Sequence, residues 1–406
     1  MDPAARDALR NMLASAVLVA MAALGATRPA LGAPVFTPLG HLPGGRFPSW
    51  AEAVSADGSV VVGNSRMGAA VEAFRWTEAG GMVGLGGLPG GPPVSVAYDV
   101  SADGQFVVGY ADTETSREAF LWIPPVHMVG LGYLLPFGWP ESFAHGVSAD
   151  GSVVVGAAGF YDPFVLQAFR WSWSTGMVGL GILGTTPGWE PLSRALAVSS
   201  DGSVVVGLTS SAPGGQAFLW TEAEGMVGLG DLPGGSFSSC ANDISSDASV
   251  VVGSCNSSAG QEAFRWTEAE GMVGLGDLPG GDFLSTASAV SGDGSVVVGG
   301  SQTISGLEAF TWTAETGMRN LRSALVTEHG MDLSGWILTA AHDVSEDGST
   351  IVGSGRNPDG VPEAWVLTGF DAHCVIPEPA TLGLLLLGVL GLRWRQQART
   401  RSTSAP

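Results

Sequence analysis

The sequence predicts an all-β fold, a seven-bladed β-propeller that an N-terminal strand closes, and three observations predict it. A unit of about 46 residues occurs seven times, each unit divides into four strand-like segments, and an extra segment of one strand type precedes the first unit. No long segment shows the apolar period of an amphipathic helix.

An Asp and a Trp mark each unit. The Asp lies in the run VSADGSVVVG or a relative of it, and the Trp lies in EAFRWTEA or a relative of it. The Asp residues are Asp57, Asp103, Asp150, Asp201, Asp247, Asp293 and Asp347. The Trp residues are Trp76, Trp122, Trp171, Trp220, Trp266, Trp312 and Trp365. This constant order indicates one structural unit in seven copies.

Each unit reads as four short strands. The first ends in Val-Ser, an Asp-Gly turn follows, and VVVG forms the second, because Asp-Gly between apolar runs is a strong hairpin signal. EAFRWT and GMVGLG are the third and fourth strands. Four strands in about 46 residues is the size of one propeller blade.

The two ends of the array complement each other. The last unit stops after EAWVLT (363–368) without a GMVGLG strand, and a segment of that type (36–45) precedes the first unit. An N-terminal strand that completes the final blade closes the ring and leaves no exposed sheet edge. This pattern favours a closed propeller over a β-solenoid.

The N-terminus is typical of a secretory signal peptide. Arg10, an apolar stretch from Leu13 to Ala26 and small residues up to Ala33 follow in that order. A membrane anchor is the alternative, but a spanning helix needs about 20 apolar residues. We expect a signal peptide at 1–33, the propeller at 34–371, a linker at 372–376 and a sorting segment at 377–406.

The C-terminus carries three parts in a fixed order: Pro377-Glu378-Pro379, a Leu/Gly run from Leu382 to Leu392, and arginines that include Arg393 and Arg395. This segment resembles the PEP-CTERM sorting signal of Gram-negative bacteria. The resemblance implies a short hydrophobic sorting helix in the inner membrane, cytoplasmic arginines and cleavage by an exosortase-type enzyme. A C-terminal anchor that stays in place is the alternative.

The repeat also resembles the HAF family of extracellular repeats, in which Ala-Phe and Trp precede Gly-Met and Leu-Gly. The matching residues of the first unit are Ala73, Phe74, Trp76, Gly81, Met82, Leu85 and Gly86. The third unit departs from the pattern at Ser172-Trp173-Ser174, and the seventh lacks Gly-Met. The resemblance implies an extracellular location more than an activity.

The charge of the chain excludes one class of partner. The sequence contains no Lys, and residues 34–376 carry 35 acids against 10 Arg. A surface this acidic repels phosphate backbones, so we expect no nucleic-acid partner.

Three long aromatic loops interrupt the repeat where most units have a short LPGG loop. They contain Trp139, Trp189 and Trp336, and repeat insertions map to one face of such folds. We expect these three residues to help bind a glycan or another envelope component. The alternative is that each Trp packs its own loop.

Cys240 and Cys255 lie on either side of the turn at Asp247 and Ala248. This symmetry places them on neighbouring strands, and an oxidising compartment favours a disulfide between them. Two buried thiols are the alternative.

No residue pattern indicates catalysis, a cofactor or a metal site. The six His lack metal-ligand spacing, and the Asp-Gly turns lack the spaced carboxylates of a calcium loop, so local turn hydrogen bonding explains those Asp more simply.

We therefore expect a non-enzymatic module at the cell surface or outside the cell, after transient anchoring in the inner membrane. Its expected partners are an exosortase-type enzyme and extracellular polysaccharide or envelope proteins, in a biofilm or matrix role. The alternative is an envelope enzyme that acts on polysaccharide through carboxylates of the loop-rich face.

Overall fold

The computed structural model describes residues 33–45, 48–125, 127–134, 140–160, 165–184, 192–210 and 214–373. These residues form 28 strands and one helix, which confirms the predicted all-β class. The predicted signal peptide and sorting segment lie outside the described residues. Within the described part of the chain, no helix has the length and apolar character needed to cross a membrane.

Four sheets, each named here by its first strand, contain four antiparallel strands in chain order. The β2 sheet contains β2 (Ser49–Val54), β3 (Val60–Met67), β4 (Ala70–Thr77) and β5 (Gly81–Gly84). The β6 sheet contains β6 (Ser95–Val100), β7 (Val107–Asp112), β8 (Arg117–Ile123) and β9 (His127–Gly130). The β10 sheet contains β10 (Pro140–Val147), β11 (Val153–Phe160), β12 (Val165–Ser172) and β13 (Gly176–Gly181). The β22 sheet contains β22 (Ser285–Val290), β23 (Val297–Thr303), β24 (Gly306–Thr313) and β25 (Gly317–Asn320).

An eight-stranded sheet combines two further units. The β14 group contains β14 (Ser193–Val198), β15 (Val204–Ser210), β16 (Gly215–Thr221) and β17 (Gly225–Gly230). The β18 group contains β18 (Gly234–Ile244), β19 (Val251–Ser257), β20 (Gln261–Thr267) and β21 (Gly271–Gly274). A single parallel pair, Gly215 with Ser238, joins the two groups.

The last sheet joins both ends of the array. It contains β26 (Ile337–Val344), β27 (Ile351–Arg356), β28 (Pro362–Thr368) and the N-terminal strand β1 (Val35–Gly40), which pairs antiparallel with β28. Helix α1 (Leu321–His329) precedes β26. The segment before the first repeat therefore supplies the strand that the last repeat lacks, as the sequence predicts.

The sheets pack face to face through the aromatic residues of their third strands. The equivalent Phe of six sheets or groups is fully buried, and Trp365 replaces it in the β26 sheet. The second-strand glycine is required beside this ring: a Cβ on Gly63 would lie 2.0 Å from the Trp50 carbonyl oxygen. The repeated VVVG and EAFRW runs thus encode one packing unit.

The first strands surround a common axis. Strands β2, β6, β10, β14, β18, β22 and β26 each contact the next, and β26 contacts β2. Backbone hydrogen bonds between the residues that precede the Asp turns follow the same closed path, from Ala56 to Ala102 and finally from Glu346 back to Ala56. The sheets therefore form a closed ring.

Serine hydroxyls join neighbouring sheets at a repeated position. Ser95 Oγ accepts the backbone N–H of Ala73 at 3.1 Å and donates to the Gly86 carbonyl at 2.5 Å. Equivalent pairs involve Ser49, Ser142, Ser193, Ser239 and Ser285. Because these serines are buried, each satisfies two polar groups that water cannot reach.

Candidate ligand-binding site

The antiparallel order of the strands gives the ring two different rims. Turns between first and second strands, and between third and fourth strands, lie on one rim, which we call the turn rim. Connections between second and third strands and between successive sheets lie on the other, which we call the loop rim.

The Asp residues of the turn rim stabilise their own turns. Asp57 Oδ1 accepts the Ser55 hydroxyl at 2.7 Å and the Ser59 backbone N–H at 2.9 Å. The same pair of bonds occurs at the other six marker Asp residues. The bond from Ser59 lowers the pKa of Asp57, so this carboxylate stays ionised and acts in turn formation.

Three other carboxylates lie at the narrow part of the axis, beside a cavity of about 120 Å³. Asp99 Oδ1 accepts the Val100 N–H, and its Oδ2 accepts the Val147 N–H of the next sheet at 2.8 Å. Asp243 and Asp343 make the equivalent bonds. Burial raises the pKa of Asp99 to about 7 and of Asp243 to about 6. These groups join sheets and hold protons at mildly acidic pH.

Aromatic side chains meet near the loop rim between the β6 and β10 sheets. We call Tyr98, Tyr110, Phe143 and His145 the aromatic cluster. The ring centroids of Tyr98 and His145 are 5.3 Å apart, those of Tyr98 and Tyr110 6.0 Å, and those of Tyr110 and Phe143 5.2 Å. All four residues are half-buried.

Arg117 adds a cation to the aromatic cluster. Its guanidinium carbon lies 5.5 Å from the Tyr110 ring centroid, and its Nε lies 3.6 Å from Asp112 Oδ1. Burial raises the pKa of Tyr98 to about 12 and lowers the pKa of His145 to about 4, so both are neutral near pH 7. The cluster and Arg117 therefore offer ring faces, two phenol hydroxyls and one guanidinium, groups that stack on and hydrogen-bond a polar ligand.

The structure corrects the expectation for Trp336. This side chain is only 9% exposed, and its ring packs edge-on against Phe36 with centroids 5.1 Å apart. Its indole belongs to the core beneath α1 and β1, where it cannot stack on a ligand. Trp139 and Trp189 lie outside the described residues.

The predicted disulfide is also corrected. Both Cys240 and Cys255 are free thiols, because the register pairs Cys255 with Ser239 and Cys240 with Ser254. Side chains of adjacent residues on a strand point to opposite faces, so the two sulfurs are on opposite sides of the sheet. Cys240 Sγ donates to Asn242 at 3.4 Å, and Cys255 Sγ contacts Asp231 and Leu232. The prediction is wrong by one residue of register.

Sequence reasoning missed the aromatic cluster, although the repeat itself contains a signal for it. The first strand of every unit has Ala at the same repeat position, as at Ala51, Ala97 and Ala144. The residues after these alanines differ widely: Glu52, Tyr98, His145, Leu196, Asn242, Ser288 and His342. These residues lie at a β-bulge of the first strand, and the variation there indicates side chains that the common core does not constrain.

Comparison with known families adds evidence about the C-terminus. Residues 375–399 match the PEP-CTERM protein-sorting motif. The chain carries a PEP-CTERM sorting motif. The match covers Pro377, Glu378, Pro379, Arg393 and Arg395; this motif is a signal of exported proteins and is recognised by exosortase. No curated protein sequence matches the chain.

Solved structures give similarity of fold. The oligogalacturonate lyase of Vibrio parahaemolyticus is 11% identical, with 84% of this chain and 99% of that one covered and a TM-score of 0.51. TolB of Acinetobacter baumannii is 14% identical at a TM-score of 0.38, and the alignment covers 60% of this chain and 63% of TolB. The Dos1 propeller is 11% identical at a TM-score of 0.45, with 81% and 95% covered. Together with the closed ring, the similarity to the oligogalacturonate lyase supports a propeller-like fold.

Proposed function

We propose that the protein is a non-enzymatic interaction or matrix module, built as a seven-bladed propeller and sorted to the cell surface or released outside the cell. The sorting motif at residues 375–399 carries this proposal. In this proposal, the inner membrane holds the C-terminal segment transiently, and an exosortase-type enzyme cuts near Pro377-Glu378-Pro379.

The positions of the two chain ends support sorting from a membrane. Val35, the first residue of β1, pairs with Thr368 at the end of β28, on the turn rim. His373 Nδ1 lies 3.1 Å from Glu315 Oε2, and Glu315 is in a third-to-fourth-strand turn on that same rim. Both ends of the described chain therefore lie on the turn rim, which supports an orientation in which the loop rim faces away from the membrane.

Seven units and seven first strands around one axis support the blade count. The β14 and β18 groups, which share one sheet, then count as two blades because Gly215 with Ser238 is the single strand pair recorded between them in the described residues. The resemblance to the HAF repeats, the signal peptide at 1–33 and the biofilm association remain predictions from the sequence.

Intact-mass measurement of the protein from membrane and medium fractions of a native host tests the sorting. We expect a C-terminus near Pro377-Glu378-Pro379 in the medium, and an uncut chain in the membrane when Glu378→Ala is introduced. An uncut wild-type C-terminus confined to the membrane would contradict cleavage and indicate a permanently anchored module.

Substitution in the aromatic cluster tests the interaction role. Tyr110→Ala and Phe143→Ala should each weaken binding to polysaccharide from the host's medium about two- to tenfold, because one aromatic contact contributes about 0.5–1.5 kcal/mol. Trp173→Ala is the matched control, since Trp173 is an exposed aromatic residue on the turn rim. Equal effects of all three variants would argue against the aromatic cluster, and release of shortened polysaccharide would favour the enzyme alternative.

A further inference from the structure

A cleft of about 1290 Å³ opens on the turn rim between the β14 and β18 groups. Trp220 and Trp266, the marker Trp residues of these two units, line it. The cleft lies on the rim opposite the aromatic cluster. What we infer from it does not depend on the sorting motif.

At the other junctions, the glycine of the Asp-Gly turn packs closely against a side chain of the preceding sheet. A Cβ on Gly104 would lie 2.5 Å from Cγ2 of Val60 in the preceding sheet. The equivalent distances are 2.6 Å from Gly202 to Val153 and 2.5 Å from Gly294 to Val250. These turns therefore approach the preceding sheet closely only because glycine has no side chain.

The β18 group breaks this rule, because its turn has Ala248 with a φ of 62°. Ala248 and Val204 pack in one apolar cluster. Val204 is only half-buried, whereas the equivalent Val60, Val153 and Val250 are buried. The methyl group of Ala248 thus occupies the space into which the other turns fit.

The ring of backbone hydrogen bonds around the axis shows the same separation. The hydrogen bond from Ser200 N to Ser246 O, which joins the β14 and β18 groups, is 3.4 Å long. The other six bonds of the ring are 3.0–3.2 Å long. We infer that Ala248 holds the two groups apart on the turn rim and so opens the cleft there, although Gly215 and Ser238 pair on the loop-rim side.

The cleft has an apolar floor and an acidic mouth. Leu219, Leu229 and Val250 contribute the floor, and exposed Glu222, Glu224, Glu268 and Glu270 contribute the mouth. Its two cations are already engaged, since Arg265 bonds Glu270 at 3.3 Å and Arg170 Nε donates to the Gly202 carbonyl at 3.2 Å. The free carboxylates therefore select a cationic ligand.

We propose that this cleft binds a Lys- or Arg-bearing peptide segment of another protein. Indole faces attract guanidinium and ammonium groups, and carboxylates form charge-assisted hydrogen bonds with them. Long Lys and Arg stems also pack along an apolar floor while their charged ends reach the acidic mouth. The amino group of a sugar, attached directly to its ring, lacks such a stem. Nowhere in the described ranges are three or more His, Cys, Asp or Glu arranged to hold a metal ion, so a bound metal is not favoured.

Calorimetry of the full-length protein with a decapeptide of alternating Arg and Ser tests the charge. Glu222→Gln combined with Glu268→Gln should weaken binding about five- to tenfold, as expected when two partly exposed ion pairs are lost. Glu78→Gln combined with Glu114→Gln is the matched control, because both residues are exposed and lie outside the cleft. Equal weakening by the control pair would overturn the proposal, because binding would then follow general surface charge.

A second variant tests the shape of the cleft with every charge retained. Ala248→Gly should let the β18 turn approach Val204, narrow the cleft and weaken peptide binding by a similar factor. The same variant should raise the melting temperature, because glycine adopts a positive φ without strain. Unchanged peptide affinity in Ala248→Gly would overturn the proposal. Tighter binding of a partly deacetylated chitosan oligosaccharide than of the peptide would also overturn it and assign the cleft to amino sugars.

Discussion

Asp99, Asp243 and Asp343 are buried carboxylates beside the axial cavity of the ring. Each accepts one N–H from its own strand and one from the next sheet, so each links two sheets directly. Burial is the main cause of their raised pKa values, and repulsion from Asp243 also raises the pKa of Asp343. The folded state therefore binds protons more tightly than the unfolded state at these positions.

This difference predicts a protein that is more stable at mildly acidic pH. A raised folded pKa gives a stabilising contribution that is complete below the unfolded value of 3.8 and is lost as the pH rises to about 7. The melting temperature should therefore increase as the pH falls from 8 to 5. Asp99→Asn should flatten this dependence, because it removes one titrating group.

Asp150→Asn is the matched control for the pH experiment. The Ser152 hydrogen bonds lower the pKa of Asp150, so this group is ionised in both states between pH 5 and 8. Its substitution should leave the slope of melting temperature against pH unchanged. A wild-type melting temperature that decreases from pH 8 to pH 5 would contradict the proposed role of the axial carboxylates.

At the scale of elements, β1 converts the array into a ring. It covers the edge of β28, and its Leu39 is buried while Phe36 packs against Trp336 and Trp365. Without β1, the edge of β28 would expose unpaired backbone groups, which promote pairing with other chains. The strand thus contributes both apolar burial and protection of an edge.

Deletion of residues 35–40 tests this role of β1. We expect a lower melting temperature and aggregation on light scattering, because each fully buried large apolar side chain contributes about 1.5–3 kcal/mol. Val35→Ser is the control, since Val35 is 56% exposed and should tolerate a polar residue. A deletion variant that stays monomeric with an unchanged melting temperature would show that the ring does not need β1.

Departures from the repeated unit change how neighbouring sheets pack. Glycine at the Asp-Gly turn lets successive sheets approach closely, and Ala248 is the exception that separates two of them. The sequence alone shows that Ala248 replaces the usual glycine. Its effect on the spacing between the two groups depends on Val204 of the preceding unit, 44 residues away. Only packing between sheets reveals what a single methyl group changes.

At the scale of the whole molecule, the two rims have different character. The turn rim carries the marker Asp residues, the acidic cleft and both ends of the described chain, whereas the loop rim carries the aromatic cluster and the connections between sheets. In the proposed sorting scheme, the turn rim faces the membrane while the C-terminal segment is anchored. An acidic rim has little attraction for anionic lipid, which favours release once the anchor is cut.

The sequence by itself determined the features that repeat or that act locally. Each of these features depends on a contiguous stretch of sequence. They are the period, the Asp-Gly turns, the four strands of a unit, the N-terminal closing strand and the PEP-CTERM motif. Local hydrogen bonding and strand periodicity fix such features, so they can be read without knowledge of distant neighbours.

Tertiary structure decided where individual side chains point. The bulge in β18 shifts the register between Ala241 and Asp243, and pairing of Cys255 with Ser239 puts the two thiols on opposite faces. Trp336 is buried because β1 brings Phe36 against it from 300 residues away in the chain. The aromatic cluster likewise joins β6, β7 and β10. A one-residue register shift reverses the face of a side chain, and contacts between distant strands form only when the ring closes, so neither could be read from the sequence.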